Sequence, residues 1–105
     1  MNPSLYRPLD PLFQNALRLA LVSLLSGGEA LPFGSLKERT GATAGNLSIQ
    51  IGKLKVAGYV EVTKQFQNNY PQTIIRITEK GSAAFRDYAE CIHSYLHPSD
   101  AAPPE

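Results

Sequence analysis

Residues 33–57, FGSLKERTGATAGNLSIQIGKLKVA, are the stretch that decides the fold. At its central break, Gly41 suits the left-handed conformation that often ends a helix, because glycine has no Cβ to clash. Thr43 then suits an N-cap position, where its hydroxyl accepts a hydrogen bond from the next helix. Apolar side chains lie at helical spacing on both sides of this break: Leu36, then Leu47, Ile51 and Leu54. The stretch predicts a short helix, a tight turn and a longer helix from about Ala44 to Ala57, ended by Gly58.

A helix, a glycine turn and a second helix form a helix-turn-helix, whose second helix can enter the major groove of DNA. Upstream, Asp10 and Pro11 predict the start of another helix, with Asp as N-cap and proline at the first helical position. Apolar residues at i, i+3 and i+4 continue this first helix to Leu25, and the pair Gly27-Gly28 stops it.

The link into the short helix has its own signals. Leu31 precedes a proline, so Leu31-Pro32-Phe33 is expected to be a short extended segment. Ser35 and Glu38, three residues apart, are candidates for a capping box of the helix that follows; the alternative is that this helix begins a residue or two earlier.

After Gly58 the pattern changes from helical to alternating. Residues 59–64 and 73–77 are rich in β-formers and predict two strands, joined by a polar, turn-forming connection at residues 65–72. Thr78 is then expected to cap a final helix from Glu79 to Leu96.

The order helix, helix, helix, hairpin, helix predicts an α+β fold, the winged helix-turn-helix, with a three-helix core, a β-hairpin wing and a C-terminal dimerisation helix. We expect an irregular N-terminal arm at residues 1–9, one DNA-binding and dimerisation domain at residues 10–96, and a flexible tail at residues 97–105.

Composition sets the outer bounds. The 105 residues suffice for one small domain, and the hydrophobic share of 43% is ordinary for a globular protein. One cysteine excludes an internal disulfide framework and favours a reducing cytoplasm. The longest apolar run is far shorter than the roughly 20 residues of a membrane span, so we expect no membrane association. We also expect no secretion signal, because no basic segment precedes an apolar one at the N-terminus.

Charge is segregated along the chain although its net value is only +1. Residues 33–76 hold six basic and two acidic side chains, whereas residues 77–105 hold two basic and five acidic ones. A phosphate-facing surface needs such a basic central region.

Three segments carry a family resemblance: GATAGNLS at residues 41–48, KLKVAGYV at residues 53–60 and RITEKGSAAF at residues 76–85. Together they resemble the small bacterial and archaeal winged helix-turn-helix transcriptional regulators related to the MarR and ArsR groups. The resemblance covers about residues 9–96. It implies that the helix after Thr43 is the recognition helix, that residues 65–72 form the wing, and that the outer helices form a homodimer.

The recognition helix has a polar side opposite its apolar one. Asparagine and glutamine can pair with adenine, and an exposed isoleucine or alanine can contact a thymine methyl, which favours sites containing A·T pairs. Hydroxyls and lysine suit phosphates. The candidate DNA contacts on this helix are Thr43, Ala44, Gly45, Asn46, Ser48, Ile49, Gln50 and Lys53. Those in and beside the wing are Lys64, Gln65, Asn68, Asn69, Gln72 and Arg76.

The first and last helices have apolar stripes wider than one core needs, which favours a symmetric dimer. The candidate dimer contacts are Leu12, Phe13, Leu17, Phe85, Tyr88, Ile92 and Tyr95. A dimer would set two recognition helices about 34 Å apart, one turn of DNA.

Other functions have weaker support. His93 and His97 are four residues apart near Cys91, but no second ligand cluster accompanies them, so no metal or other cofactor is expected. No basic neighbour is evident in the sequence to activate Cys91. No catalytic constellation is present, so we expect no enzyme. A small-molecule effector is possible but not indicated. The alternative that stays open is a winged-helix protein-protein interaction module without specific DNA binding.

Overall fold

The computed structural model describes residues 7–98. Its architecture is the expected α+β winged helix. The elements, in chain order, are a 3-10 turn at Pro11–Phe13, α1 at Ala16–Leu25, β1 at Leu31–Pro32, α2 at Phe33–Thr40, α3 at Ala44–Val56, β2 at Val60–Gln67, β3 at Tyr70–Ile77 and α4 at Glu79–Leu96. Within residues 7–98, no helix combines the length and the apolar character that crossing a bilayer requires. Residues 1–6 and 99–105, most of the expected arm and tail, lie outside the described part.

The first helix is not continuous, so that prediction was wrong. Asp10 accepts a hydrogen bond from the Leu12 amide at 2.9 Å and caps only the 3-10 turn. Asn15 is extended, with φ of −114°, and accepts from the Arg18 amide at 3.0 Å to start α1. Two N-caps five residues apart thus divide one apolar stripe into two short elements.

Of the two starts considered for α2, the earlier one is observed, and the capping box is wrong. The helix begins at Phe33, after Pro32, with no side-chain cap. The extended link forms β1, in which Leu31 faces Ile75 and Pro32 faces Ile74 of β3. Because this pairing leads the chain directly into the helix, Ser35 lies within its first turn rather than before it. Gly41 ends α2 as predicted, with φ of +71°.

The hairpin is longer and its turn tighter than predicted. β2 and β3 pair antiparallel from Val60 opposite Ile77 to Gln67 opposite Tyr70. Only Asn68 and Asn69 lie outside the strands, with φ of +54° and +68°. Two residues with positive φ match a type I′ hairpin turn, which asparagine tolerates. Most of the predicted loop 65–72 is therefore strand.

The core joins α1, α2, α3 and the sheet through fully buried side chains: Leu21, Leu25, Leu36, Leu47, Leu54 and Ile75. Phe13 lies at the edge of this core and is 1% exposed. Its ring is 5.1 Å from Tyr88, 5.6 Å from Tyr59 and 6.0 Å from Phe85, between ring centroids. Phe13 is thus enclosed by its own chain, and its prediction as a dimer contact was wrong.

The start of α4 is fastened to the end of α3. Gly58 follows α3 with φ of +84°. The Thr78 hydroxyl donates to the Gly58 carbonyl at 2.6 Å and accepts from the Gly81 amide at 3.0 Å. A Cβ placed on Gly81 would lie 2.2 Å from the Tyr59 carbonyl oxygen. Glycine is therefore required where α4 crosses the chain after α3.

We expect Gly81→Ala to lower the free energy of unfolding by about 1–3 kcal/mol, because the backbones must separate. Gly52→Ala is the matched control: it is also within a helix, but no atom lies within 4 Å of an added Cβ. Helix propensity predicts that this control gains roughly 0.5–1 kcal/mol. Chemical denaturation measures both, and equal effects of the two substitutions would contradict the close crossing.

Tyr59 provides a pH test of the packing. Burial, followed by its hydrogen bond to the Asp10 carboxylate, raises the pKa of Tyr59 to about 12 from the ordinary value of 10.0. The neutral phenol is thus favoured in the folded state, and its contribution is complete below pH 10 and lost as the pH rises through 12. In chemical denaturation, stability should fall over this window and fall less in Tyr59→Phe. Identical pH profiles for the two proteins would refute this role.

Candidate nucleic-acid interface

Helix α3 is anchored on one side and open on the other. Leu47, Ile51 and Leu54 are buried as predicted, and the Thr43 hydroxyl accepts from the Asn46 amide at 3.2 Å to cap the helix. Ile49, on the other side, is 59% exposed. Seven predicted contact residues are exposed together: Thr43, Ala44, Gly45, Asn46, Ser48, Ile49 and Lys53.

Gln50 is the exception, and its predicted place on the outer face was wrong. Its side chain is only 8% exposed. Its Oε1 accepts from Arg18 Nη1 at 2.6 Å, and its Nε2 donates to Asn46 Oδ1 at 3.0 Å. Gln50 lies one turn from Leu47 and beside Ile51, so the helix turns it toward α1, where both ends of its amide find partners.

Arg18 is the structural residue that sequence reasoning missed. Besides Gln50, its guanidinium donates from Nε to the Leu12 carbonyl at 2.7 Å and from Nη2 to the Pro11 carbonyl at 3.4 Å. One half-buried cation thus joins the 3-10 turn, α1 and α3. Its signal in the sequence was a charged residue inside an apolar run, which requires a partner if it is to be buried.

The outer face of α3 contains two glycines that the chain's own packing does not need. An added Cβ at Gly45 or Gly52 would meet no atom within 4 Å. Each glycine inside a helix costs about 1 kcal/mol relative to alanine. The face continues to Val56, which is 90% exposed. Neither Val56 nor the exposed Lys55 beside it was predicted as part of the site.

The wing separates its candidate residues onto different faces. Lys64 is paired with Thr73 and lies on the side that the core residues share farther down the hairpin. Gln65 and Gln72 face each other on the opposite side, as do Glu61 and Arg76 at the hairpin base. Asn68 and Asn69 form the tip. These residues therefore cannot act as one flat surface.

An open cavity of about 1000 Å³ lies between the start of α2 and the wing. Gly34, Ser35 and Lys37 line it on the α2 side, and Gln72 and Thr73 line it on the β3 side. The first turn of α2, which borders the cavity, has no side-chain cap. The cavity is an open cleft between the helix-turn-helix and the wing, and its lining contains one basic side chain, Lys37, and one acidic one, Glu38.

A partly apolar surface remains on the 3-10 turn, α1 and α4. Leu12, Leu17 and Ile92 are half-buried in the single chain, and Tyr95 is 43% exposed. Phe85 and Tyr88 are also half-buried, but their rings contact Phe13.

The structure gives neighbours to the two C-terminal histidines and to the cysteine. The rings of His93 and His97 are 4.4 Å apart between centroids, but residues 7–98 contain no group of three potential metal ligands. Cys91 is buried, and Arg7 Nη2 lies 3.1 Å from its Sγ, a basic neighbour that sequence reasoning missed. Arg7 also pairs with Asp87 at 2.8 Å.

The fold is shared with solved winged-helix regulators. A transcriptional regulator homologue from Pyrococcus horikoshii OT3 superposes with a TM-score of 0.80 and 23% identity, covering 87% of this chain and 90% of that chain. A mutant of MarR from Escherichia coli, complexed with operator DNA, superposes with a TM-score of 0.68 and 20% identity over 90% of this chain and 67% of that one. The architecture is therefore that of the MarR-like winged helix.

Sequence comparison defines the family. A family model described as a winged helix DNA-binding domain matches residues 17–96. An uncharacterized protein from Methanocaldococcus jannaschii is 39% identical over 77 residues, which are 73% of this chain and 84% of that protein. The chain belongs to the winged helix DNA-binding domain family.

We expect Arg18→Met to lower the free energy of unfolding by about 1–3 kcal/mol, because the Gln50 and Leu12 oxygens lose a charged donor. Arg86→Met is the matched control: Arg86 is exposed on α4, and its Nη1 donates to the nearby Ser82 hydroxyl at 3.2 Å. A surface change of this kind is expected to stay within about 0.5 kcal/mol. Equal losses in chemical denaturation would show that the Arg18 contacts do not hold the structure together.

Proposed function

We propose that this protein is a sequence-specific regulator of transcription that binds double-stranded DNA as a homodimer, with α3 in the major groove. The observation that carries the proposal is the outer face of α3, which is open, mostly polar in its N-terminal half and basic at Lys53, on a helix fixed to the core by its other side. Family membership supports the DNA-binding role. Binding to chromosomal DNA would place the protein in the cytoplasm.

The residues of α3 divide into two roles. Thr43, Ser48 and Lys53, with the helix N-terminus, contact phosphates and set the register. Gly45 allows the helix backbone to approach the DNA, since the space above it is empty. Ala44, Asn46 and Ile49 face the base edges, and an exposed isoleucine suits a thymine methyl. Gln50 is excluded from base contact by its burial.

The wing contacts the flanking backbone or minor groove through its tip. Asn68 and Asn69 supply exposed amides, with Gln65 and Gln72 on one face of the hairpin and Lys64 on the other. Arg76 lies farthest from the tip, opposite Glu61. Lys37, at the cavity between α2 and the wing, is a further candidate contact to the DNA backbone, although Glu38 lines the same cavity.

The homodimer would bury the remaining apolar surface of the 3-10 turn, α1 and α4, namely Leu12, Leu17, Phe85, Tyr88, Ile92 and Tyr95. The complex of MarR with operator DNA shows that this architecture is compatible with duplex binding in that protein. Two copies with their recognition helices about 34 Å apart would read a pseudo-palindromic site.

A specific observation keeps the interaction module as the second candidate. Ile49, Gly52 and Val56 form an apolar strip beside Leu12 on the C-terminal half of α3. Exposed apolar strips mark protein contacts as well as DNA contacts.

Selection of bound sequences from a random DNA pool tests the proposal. We expect a motif with two half-sites that includes A·T pairs, and a steep loss of affinity with rising salt. Lys53→Ala should weaken binding to all sequences alike and reduce the salt slope by about 1 per subunit. Arg86→Ala, at an exposed position on α4, is the control and should leave the affinity and the salt slope unchanged.

Each other outcome has a defined meaning. No enriched motif from the wild-type protein would reject specific DNA binding and favour the interaction module. A motif with one half-site would reject the homodimer but not specific DNA binding. An altered base preference in Lys53→Ala would reject its assignment to phosphate.

A further inference from the structure

Three side chains form a hydrogen-bond relay from α1 to the outer face of α3. Arg18 Nη1 donates to Gln50 Oε1 at 2.6 Å, and Gln50 Nε2 donates to Asn46 Oδ1 at 3.0 Å. Gln50, in the middle, is buried, whereas Asn46 is exposed among the residues proposed to face DNA. The relay therefore connects an internal cation to a candidate base-reading side chain.

The relay has a fixed direction because arginine has donors and no acceptor. Gln50 must turn its oxygen toward Arg18, so its NH₂ group faces Asn46. Asn46 must then turn its own oxygen inward, which directs its Nδ2 amide outward. A solitary surface asparagine could exchange its oxygen and nitrogen by rotation, but here the cation sets which atom faces out.

We propose that Asn46 is a donor-oriented, specificity-determining residue, and that Arg18 and Gln50 are the positioning residues that hold it so. Its partner is a hydrogen-bond acceptor on the major-groove edge of a base, which is offered by guanine O6 and N7 or by thymine O4. This inference rests on the proposed DNA binding by α3.

The orientation changes the expected base preference. Pairing of asparagine with adenine in two hydrogen bonds needs the amide oxygen to accept from N6 and the nitrogen to donate to N7. With its oxygen committed to Gln50, Asn46 is poorly placed for that pair. Ile49 lies three residues on, adjacent on the same helical face, and thymine offers a methyl group beside its O4. Asn46 and Ile49 together therefore favour thymine over guanine.

Reversing the relay tests the proposal. In Gln50→Glu, the carboxylate still accepts from Arg18 but can only accept from Asn46, so Asn46 must rotate and expose its oxygen. We expect the preferred base at one position of each half-site to change from thymine or guanine to cytosine or adenine, which offer amino donors. The wild type should bind its own motif about tenfold more tightly than the changed one, and Gln50→Glu should show the reverse preference.

Asn46→Asp is an independent second variant. Its carboxylate accepts from Gln50 and presents another acceptor outward, so it should change the same position to the same bases. An acidic residue in the first turn also favours the helix, which protects the fold of this variant. Gln50→Met, which removes the relay without reversing it, should relax the preference without changing its direction.

Hydrogen exchange of side-chain amides in the free protein separates the relay from the DNA-binding proposal. The Asn46 NH₂ should exchange rapidly with water in the wild type and more slowly in Gln50→Glu. A protected Asn46 NH₂ in the wild type would overturn the orientation. A wild-type motif kept at every position by both Gln50→Glu and Asn46→Asp would overturn the specificity role, whereas absence of any wild-type motif would overturn the proposed function on which it rests.

Discussion

The contact on which the arrangement depends is the bridge from the Arg18 guanidinium to α3. The apolar core fixes which side of α3 is buried, through Leu47, Ile51 and Leu54. Arg18 bonds the carbonyls of the preceding 3-10 turn and the Gln50 amide, so three separate elements share one cation. The bonds to a charged donor are individually stronger than neutral ones, and they are directional. The bridge therefore ties the buried side of α3 to α1 and to the turn that precedes α1.

A second constraint acts on the same helix from its ends. Thr43 caps its start, Gly58 ends it in the left-handed conformation, and Thr78 bonds the Gly58 carbonyl while it caps α4. The helix is therefore held at both termini as well as at its middle. Its outer face nevertheless retains Gly45 and Gly52, which lower intrinsic helix stability without relieving any internal contact. A helix that is fixed so firmly and left open on one side is suited to meet a rigid partner at short distance.

The sequence predicted the elements whose signals are local. Thr43, Gly41, Gly58 and Thr78 mark helix ends by their own backbone and hydroxyl chemistry, and all four lie where expected. The buried side of α3 followed from helical spacing. Errors arose where two local signals competed, as when the Asn15 cap divided the first helix. They also arose in the hairpin, where pairing between β2 and β3 continues through residues that were predicted as its loop.

The site was less accessible to sequence reasoning because its arrangement depends on tertiary contacts. Helical spacing places Gln50 at the border between the two faces, and its contact with Arg18, 32 residues earlier, accompanies its burial. Phe13 likewise lies on the apolar stripe from which dimer contacts were predicted, but Tyr59, Phe85 and Tyr88 enclose it. These contacts join residues that are far apart in the chain, so periodicity could not reveal them.

The central claim, that the outer face of α3 meets duplex DNA, is tested most directly by following backbone amide resonances while a duplex is added. The account predicts that the largest shifts fall within residues 43–53, with smaller ones at the hairpin tip, and that α4 beyond Tyr88 is little changed. Shifts that are concentrated in α4, or a spectrum unchanged by a duplex carrying the selected motif, would contradict it.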